Sequence, residues 1–491
     1  MNVRNALSAR NNPGIVTRLL QEEIDKGFIR GPFSKPPFKQ YRVSPLGLAT
    51  HKYSKKQRLI LDLSSPHNND EHQSVNDLID KDLCSLTYIK IDAAIKVIQK
   101  FGRRSLCCKV DILDAFKQLP ILKVQWHLFC VKWNDKYYHF VRLPFGCRSS
   151  PRLFDSLPIS ICWIAQNNYN ISVIFHLLDD FLTINKPDEC GERTMALLSL
   201  IFNKLNIPLS PKKTIGPVCE LEYLGIILDT INMQARLPLD KVKRITDYIS
   251  TIIHSKSCTR KALEQLLGHL NFATRVILPG RAFVAYLYKL MASVRDSFHY
   301  VHLDKECKSD LKMWLEFLST WNGINFFYEP QLTSAADMHL YTDASSTKGF
   351  GGFYQGKWFY DTWPKELPDI SDKTLSMAFL ELYPIVVAAV LWGKDWSGKR
   401  ILFHCDNLAA VQILTKGRSK EPIIMKLMRR LVMCAATYNF AIYSEHLPGK
   451  LNFLADSLSR FQIEKIRQLA PDSEATATPC PRLEEIIWTP P

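Results

Sequence analysis

Two adjacent carboxylates, Asp179 and Asp180, lie in the otherwise apolar stretch IFHLLDDFLTI at 174–184. Burying one ionised carboxylate without a partner is costly, and burying two side by side costs more. Asp111, at the end of another predicted strand, joins the group if the two strands are neighbours. Divalent cations make such a group tolerable, because Mg²⁺ prefers carboxylate and phosphate oxygens and keeps open positions for substrate. The sequence therefore predicts a metal-dependent site, although an Asp-Asp pair alone is more often a turn device.

A second set of acids lies downstream, each at a predicted strand end or on a helix that could face one. Its members are Asp343 in YTDAS, Glu381 in FLELYPIVVAAVLW, Asp406 in LFHCDN and Asp456 in HLPGKLNFLADSLSR. Glu381 has no packing role within its apolar helix. Taken singly, each of these acids is more often structural than catalytic, and Asp406-Asn407 could simply cap the helix that starts at Leu408. As a set, these acids predict paired Mg²⁺ ions that activate water for attack on a phosphodiester.

The chain has 491 residues, enough for several domains with sizeable cores. Its 63 Lys and Arg against 48 Asp and Glu give a net charge of +15. Excess positive charge suits a polyanionic partner such as nucleic acid, although a basic protein without such a partner remains an alternative. The 13 cysteines include no CxxC pair, which disfavours a structural zinc site or a small disulfide framework and favours an intracellular, reducing environment.

No apolar stretch reaches the roughly 18 residues that a membrane-spanning helix needs. The longest candidate, FLELYPIVVAAVLW at 379–392, is short and contains Glu381 and Pro384. The N-terminus is arginine-rich and lacks acids, which faintly resembles a mitochondrial presequence, but its helical pattern continues into the next segment. We therefore expect no membrane association.

The hydrophobic pattern predicts the elements that position the acids. Two β-rich arms flank Asn134-Asp135, which is a hairpin signal, and residues 150–168 are predicted to form a buried helix. SVIFHLLDDFLTI is predicted to form two short strands that turn over at the aspartate pair, and LEYLGIILD to form one strand. The pattern becomes helical from about Leu239 to Thr320, and a second α+β unit begins at DMHLYTDAS.

Five motifs follow one another in the first part of the chain: VDILDAF, LPFGCRSSP, HLLDDF, LNIPLSPKKT and LEYLGIILD. Over about 31–291 this ordered set resembles the palm of a reverse transcriptase. The resemblance implies that Asp111, Asp179 and Asp180 are the polymerase metal ligands. The chain departs from the family at Leu177, since Tyr or Phe is usual two residues before the first paired Asp. We expect this change to alter packing of the primer end and to leave the chemistry intact.

The same resemblance implies a set of nucleotide-binding residues. Phe116 matches the aromatic gate that excludes a ribose 2′-hydroxyl, and Gly146 matches the loop against template and nucleotide. Arg58, with Lys55 nearby, matches the fingers segment that holds the triphosphate. Lys213, with the preceding lysine as the alternative register, matches the lysine offered to the pyrophosphate. Without the resemblance, Phe116 could equally be an ordinary core aromatic. The alternative for Arg58 and the neighbouring lysines is a solvated cluster of charges.

Over about 337–460 the second set of motifs resembles ribonuclease H. The metal ligands that this resemblance implies are Asp343, Glu381, Asp406 and Asp456. His446 then lies on a mobile loop that assists water activation or product release, although a histidine beside Pro-Gly is usually only a surface residue. Each site is expected to hold two Mg²⁺ ions, with Mn²⁺ as the alternative ion.

The predicted fold class is therefore α+β multidomain, with a right-hand polymerase of fingers, palm and thumb followed by a ribonuclease H-like α/β domain. The expected parts are an N-terminal helical segment (1–30), fingers and palm (31–238), a helical thumb or connection (239–321), a linker (322–336), the ribonuclease H domain (337–461) and a poorly ordered tail (462–491). Basic residues of the thumb are expected to follow a duplex by its phosphates.

The expected function is RNA-directed DNA synthesis with ribonuclease H activity, in which retroelement RNA is copied and the RNA of the hybrid is degraded. The expected partners are RNA template, DNA primer, RNA–DNA hybrid and deoxynucleoside triphosphates, in the cytoplasm or nucleus. The alternative is a catalytically inactive, domesticated nucleic-acid-binding derivative. Because decay removes carboxylates as readily as other residues, the presence of all the acids disfavours that alternative.

SVNDLI and LNFATRVILPGRAF most resemble the DIRS-type retroelements, which integrate by a tyrosine recombinase. Gypsy-like elements and pararetroviruses are the competing assignments. The chain contains neither an Asp-Thr-Gly or Asp-Ser-Gly protease signature nor the His/Cys zinc module of an integrase. A structural protein and a recombinase are therefore expected on other chains.

Overall fold

The structure is a computed structural model, and it describes residues 4–50, 57–67, 72–320, 324–326, 339–368, 370 and 374–487. The chain divides into two compact units, Met1–Tyr223 and Leu224–Pro491. The predicted nucleotide ligand Lys55 lies outside the described residues, as does most of the predicted linker. The finer six-part division remains a prediction.

The first unit contains both helices and antiparallel sheets. Its helices are α1 (Leu7–Arg10), α2 (Pro13–Asp25), α3 (Ile91–Phe101), α4 (Ser150–Tyr169) and α5 (Gly191–Lys204). Its strands are β1 (Ile29–Phe33), β2 (Leu46–Thr50), β3 (Gln57–Leu61), β4 (Leu106–Asp111), β5 (Cys130–Trp133), β6 (Lys136–Phe140), β7 (Ile174–Leu177), β8 (Asp180–Asn185), β9 (Ile215–Val218) and β10 (Glu220–Tyr223). The hairpin predicted at Asn134-Asp135 is confirmed by the pairing of β5 with β6.

A four-stranded antiparallel sheet, in the order β7-β8-β4-β9, carries the first acid group. α4 and α5 pack beside it through large apolar side chains, among which Phe154, Phe181 and Phe202 are almost completely buried. Fully burying a phenylalanine contributes about 1.5–3 kcal/mol. These contacts hold β4 and β8 in place, with their charged ends at one edge of the sheet.

The second unit contains a largely helical part followed by a part built on a mixed sheet. Its helices are α6 (Leu239–Ile253), α7 (Arg260–Ala273), α8 (Ala285–Ala292), α9 (Lys305–Thr320), α10 (Met377–Trp392), α11 (Leu408–Lys416), α12 (Pro422–Tyr438), α13 (Phe453–Ser459), α14 (Ile463–Leu469) and α15 (Leu483–Ile486). Its strands are β11 (Ile226–Asp229), β12 (Gln234–Arg236), β13 (Ser257–Thr259), β14 (Tyr300–His302), β15 (Ile324–Phe326), β16 (His339–Ala344), β17 (Gly349–Tyr354), β18 (Lys357–Thr362), β19 (Arg400–Cys405) and β20 (Ala441–His446).

The mixed sheet has five strands in the order β18-β17-β16-β19-β20. β16, β19 and β20 run parallel, whereas β17 and β18 are antiparallel additions. α10 packs on this sheet and is apolar on all sides, which is typical of a helix in the middle of a core. The segment Met377–Trp396 is long and apolar enough to cross a membrane, but 78% of it is buried inside the protein. It is therefore explained as the central core helix of this unit.

Two expectations about the chain are corrected. LEYLGIILD forms two strands, β10 and β11, because Leu224 and Gly225 have φ of +49° and +77°, a conformation that a strand does not accommodate. The expected poorly ordered tail is wrong for residues 462–487, which include α14 and α15. Ile466 packs with Trp358, and Ile486 belongs to the hydrophobic core that contains α10. These two buried side chains fix the C-terminal segment to the domain, although its composition does not indicate order.

A buried ion pair joins α12 to α9 within the second unit. The Arg429 guanidinium donates to Asp310, and their side chains are only 5% and 1% exposed. Burial raises the pKa of Asp310, and the neighbouring guanidinium opposes that rise. Removing the arginine leaves a buried carboxylate without its cation.

We predict that Arg429→Met lowers the free energy of unfolding by about 3–5 kcal/mol, the usual cost of breaking a buried pair from one side. Adding Asp310→Leu should recover most of this loss, because neither charge then remains buried. Urea unfolding followed by tryptophan fluorescence measures both effects, with Lys416→Met on the exposed surface of α11 as the control. Equal stability of Arg429→Met and the control would contradict the prediction.

Candidate active sites

The sheet of the first unit brings the first acid group together. Asp111 ends β4 and Asp180 begins β8, and the two residues are directly opposite each other in the antiparallel ladder. The chain turns between β7 and β8 at Leu178, whose φ is +53°, and the Ile112 N–H donates to the Asp179 carbonyl at 3.0 Å. Strand pairing therefore places the predicted ligands Asp111, Asp179 and Asp180 at one point.

Two lysines contact this group. The Lys213 ammonium lies 2.6 Å from Asp111 Oδ2, and the Lys109 ammonium lies 3.1 Å from Asp180 Oδ2. Of the two registers left open in PKK, the structure therefore selects Lys213. Lys109 was not predicted, although its position two residues before Asp111 in the same strand places it on the same face.

The electrostatics of the group favour a bound cation. Burial raises the pKa of Asp179 and of Asp180, and the Asp111 charge raises both further. Asp180 Oδ1 is buried and accepts no hydrogen bond from the described residues. Acidic oxygens that are crowded, buried and unsatisfied fit a hard divalent ion.

A cavity of about 490 Å³ opens beside these acids, and three of the predicted nucleotide-binding residues line it: Arg58, Phe116 and Lys213. Arg58, on β3, and Phe116 line the cavity together with Asp179 and Lys213. Phe116 is 9% exposed and packs against Phe145 at 4.9 Å between ring centroids, so it is both a core aromatic and part of the cavity wall.

Gly146 lies where two backbones approach closely. Its φ is +101°, and a Cβ there would lie 2.3 Å from the Leu61 carbonyl oxygen of β3, so only glycine fits. The Asn76 side chain donates to the Gly146 carbonyl at 2.9 Å and accepts from the Arg148 N–H at 2.8 Å. Asn76 and Arg148 thus hold this loop. They lie in the quoted motifs SVNDLI and LPFGCRSSP, but the sequence did not indicate that they contact each other.

The parallel strands of the second unit assemble the second acid group. Asp343 lies near the end of β16 and Asp406 directly follows β19, so both lie at the carboxyl edge of the sheet. Glu381 on α10 reaches the same edge, where it accepts from the Ala344 N–H. Asn407, and not Asp406, caps α11 by accepting from the Ala410 N–H at 3.0 Å. The Asp406 carboxylate therefore remains available to the site.

α13 carries the fourth acid, and two contacts hold it against the sheet. The Asn452 amide donates to the Thr342 carbonyl at 2.9 Å. Gly351 on β17 leaves room for Leu458, which would lie 2.5 Å from a Cβ at that position. These contacts place Asp456 near Asp343 and Asp406, close enough for its charge to raise the pKa of both.

Neutral and basic partners complete this site. The Ser459 hydroxyl donates to Asp343 Oδ2, and the Arg460 guanidinium donates to Asp456 Oδ1 at 2.7 Å. Ser459 was not predicted, although it lies three residues after Asp456 on the same helical face. His446 is exposed at the end of β20, and its Nε2 lies 3.1 Å from the Asp406 carbonyl oxygen. The structure therefore brings His446 to the edge of the site.

The second group also fits a metal ion. Ligand atoms of Glu381, Cys405 and Asp406 lie within 4.8 Å of one another. Burial raises the pKa of Cys405, and a hard ion such as Mg²⁺ prefers the carboxylate oxygens of Glu381 and Asp406 to sulfur. Burial and the neighbouring acids raise the pKa of Glu381 to about 10 and that of Asp343 to about 6. Glu381 Oε2 is buried and accepts no hydrogen bond within the described part of the chain.

Residues 33–228 match the family model described as reverse transcriptase (RNA-dependent DNA polymerase). The chain contains a reverse transcriptase domain. This match covers the β4–β8 acid group, Lys213 and the part of the cavity wall that follows residue 33. The comparison leaves the second acid group, which lies downstream, outside the matched residues.

The homologues are Pol polyproteins of viruses and transposons. The chain is 26% identical over 463 residues to the retrovirus-related Pol polyprotein from transposon 412 of Drosophila melanogaster, covering 92% of this chain and 34% of that protein. It is 21% identical over 389 residues to polyprotein P3 of Commelina yellow mottle virus, covering 75% of this chain and 19% of the relative. The chain thus spans about a third or less of the length of these relatives.

Among the solved structures with a similar fold is one from a foamy virus. It is described as the foamy viral protease-reverse transcriptase dRH in complex with ds DNA, with a TM-score of 0.51 and 16% identity over 91% of this chain and 71% of that chain. At this identity the likeness concerns the fold alone. It confirms a multidomain polymerase fold of mixed helix and sheet content.

We predict that Glu381→Gln stabilises the metal-free protein increasingly as the pH rises. A glutamate with pKa raised from 4.5 to about 10 stabilises the fold only while it is protonated, so this contribution is lost between those values. The thermal unfolding midpoint of the variant minus that of the wild type should therefore grow from pH 5 to pH 9. Glu464→Gln, at an exposed position of α14, is the matched control.

Addition of Mg²⁺ should raise the midpoint of the wild type more than that of Glu381→Gln, because an ion bound only by the folded state stabilises it. A difference between variant and wild type that is independent of pH would contradict the burial of this charge.

Proposed function

We propose that the chain is an RNA-directed DNA polymerase that also has ribonuclease H activity. The observation that carries the first activity is the direct opposition of Asp111 and Asp180 beside a cavity lined by Arg58, Phe116 and Lys213. The second activity is supported by the four acids at the carboxyl edge of the β16–β19 sheet. The net charge of +15 suits nucleic acid as the substrate of both.

In the polymerase site, Asp111, Asp179 and Asp180 would hold Mg²⁺ or Mn²⁺. Bound in pairs, such ions activate an attacking hydroxyl and neutralise a leaving pyrophosphate. The chain's own contribution is to fix the three carboxylates by strand pairing. The Lys213 side chain is 58% exposed and places its ammonium beside Asp111, where it can meet the charge of the departing pyrophosphate.

Arg58 and Phe116 select the incoming nucleotide. Arg58 offers its guanidinium to the triphosphate, and the Phe116 ring excludes a ribose 2′-hydroxyl from the cavity wall. Gly146 holds its loop against β3, which keeps that wall close to the position of the template base.

In the second site, Asp343, Glu381, Asp406 and Asp456 would hold the same ions, which supply an activated water for hydrolysis of the RNA strand. Ser459 orients the Asp343 carboxylate by its hydrogen bond, and Arg460 orients that of Asp456. His446 lies at the exposed rim, where an imidazole can move a proton to or from water or product.

The proposed setting is a retroelement of DIRS type, acting in the cytoplasm or nucleus on RNA template, DNA primer and RNA–DNA hybrid. The foamy viral structure of similar fold is a complex with double-stranded DNA, which accords with nucleic acid as the ligand. A structural protein and a recombinase on other chains would complete the element.

Separate substitutions should uncouple the two activities. Asp180→Asn is expected to reduce Mg²⁺-dependent primer extension by about 10³-fold or more, since it removes a ligand of a group that acts as a unit, and to leave hybrid cleavage intact. Asp343→Asn should have the reverse effect. Both reactions can be followed in one tube with an RNA template and a labelled DNA primer.

Asp472→Asn, in the C-terminal segment outside both acid groups, is the control and should change neither reaction. If the wild-type chain binds hybrid tightly but neither extends nor cleaves, it is an inactive nucleic-acid-binding derivative. If Asp180→Asn extends primers normally, the polymerase site is elsewhere.

Phe116→Ala should admit ribonucleotides. Removing the ring opens the cavity wall, and the preference for deoxynucleotides in kcat/KM should fall by about 10–100-fold. Single-nucleotide extension with matched deoxy- and ribonucleoside triphosphates measures this ratio. Phe202→Leu, a core substitution on α5 away from the cavity, controls for general loss of packing, and unchanged discrimination in Phe116→Ala would refute the gate.

A further inference from the structure

The N-terminal helix α2 contacts the short turn that carries Phe116. We define this gate turn as Asp114–Gln118, which includes the helical turn Ala115–Gln118. Two ion pairs join it to the C-terminal end of α2. The Lys26 ammonium lies 2.8 Å from Asp114 Oδ2, and the Lys117 ammonium lies 2.9 Å from Glu23 Oε2.

Lys117 is buried to an unusual degree for a lysine. Its side chain is 6% exposed, and its ammonium lies 4.6 Å from the centroid of the Phe140 ring. Burial lowers the pKa of Lys117, and the Glu23 charge acts against this effect. An ammonium in this place needs its carboxylate partner, because a buried charge without one is strongly destabilising. Because the Lys117 ammonium must stay beside Glu23, the pair fixes the position of the gate turn relative to α2.

The second pair holds the other end of the same turn. Asp114 has φ of +50°, and its carbonyl accepts from the Lys117 N–H at 2.8 Å. Lys26 pairs with this residue from α2, and the hydrogen bond raises the pKa of Lys26. Phe116 is therefore flanked on both sides by residues that α2 holds through opposite charges.

α2 also forms part of the cavity wall. Glu22, Glu23 and Lys26 line the same cavity of about 490 Å³ as Asp111 and Asp179. Phe116 itself packs on Phe145 and Phe154, with ring centroids 4.9 and 5.3 Å away. A shift of the gate turn would therefore move the Phe116 ring relative to the acids.

We propose that α2 is a positioning element for the nucleotide gate: the Glu23–Lys117 and Lys26–Asp114 pairs hold the Phe116 ring where it distinguishes deoxyribose from ribose. Glu23, Lys26, Asp114 and Lys117 are positioning residues, since they act through Phe116. This inference rests on the proposed polymerase function. It assigns sugar selection in part to a helix that precedes the region matched by the family model.

Glu23→Gln, Lys117→Met and the double variant test the buried pair. The readout is kcat/KM for a deoxynucleoside triphosphate divided by that for the matching ribonucleoside triphosphate. Glu23→Gln should lower this ratio by about tenfold, because the unpaired ammonium displaces the gate turn. The double variant should recover most of the ratio, since methionine fills the space of lysine without a charge.

The exposed pair provides a second route if Glu23→Gln fails to fold. Lys26→Gln and Asp114→Asn remove this pair without changing the backbone conformation of the turn, since asparagine tolerates positive φ. Each variant should lower the ratio by about threefold, and the double variant should show no further loss. The matched control is Lys132→Gln with Asp135→Asn, which removes an exposed pair at 2.8 Å on the β5–β6 turn. The control should leave the ratio unchanged.

The outcomes separate this inference from the proposed function. If Phe116→Ala lowers the ratio but the α2 variants do not, the polymerase assignment stands and the positioning role is overturned. The positioning role is also overturned if the α2 variants slow incorporation of both sugars equally, since that is a purely structural effect. If the wild-type chain extends no primer, or Phe116→Ala leaves the ratio unchanged, the proposed function or its gate has failed instead.

Discussion

Both candidate sites depend on holding several carboxylates together in partly buried space, against their mutual repulsion and the cost of desolvation. The structure meets this requirement in two ways. In the first unit, Lys109 and Lys213 place ammonium groups against the acids. In the second, Asp343 and Glu381 are supported chiefly by a hydroxyl and a backbone N–H, and their pKa values rise to about 6 and about 10. The second group therefore has more to gain from a bound cation.

In each unit, a glycine lets one further segment of the site lie close against a strand. Gly146 allows its loop to touch β3, and Gly351 allows α13 to lie on β17. In each case a side chain at the glycine would push a functional segment outward. The acids themselves are carried by strand ends and helices, whose geometry is set by regular hydrogen bonding. Strands and helices therefore place the carboxylates near one another, and the two glycines allow the Gly146 loop and α13 to pack against the strands.

The order of elements was largely predictable from the hydrophobic pattern. The hairpin at Asn134-Asp135, the helix at 150–168 and the strand that ends at Asp111 are confirmed, because alternation and helical periodicity are local signals. The predicted burial of that helix is wrong for one face, on which Leu153, Ile159 and Trp163 are exposed. The tail was misjudged, since its composition gives no sign that isolated side chains such as Ile466 find a hydrophobic surface far away in the chain. Composition describes a segment on its own, whereas order there depends on what it packs against.

By itself, the sequence determined the acids, their order and the strand ends that carry them, because residue type and periodicity are properties of short stretches. Only the tertiary structure decided that Lys213 rather than its neighbour meets Asp111, that Ser459 supports Asp343, and that α2 holds the gate turn. These are contacts between residues about a hundred positions apart. Their geometry follows from how whole elements pack, and no local pattern encodes it.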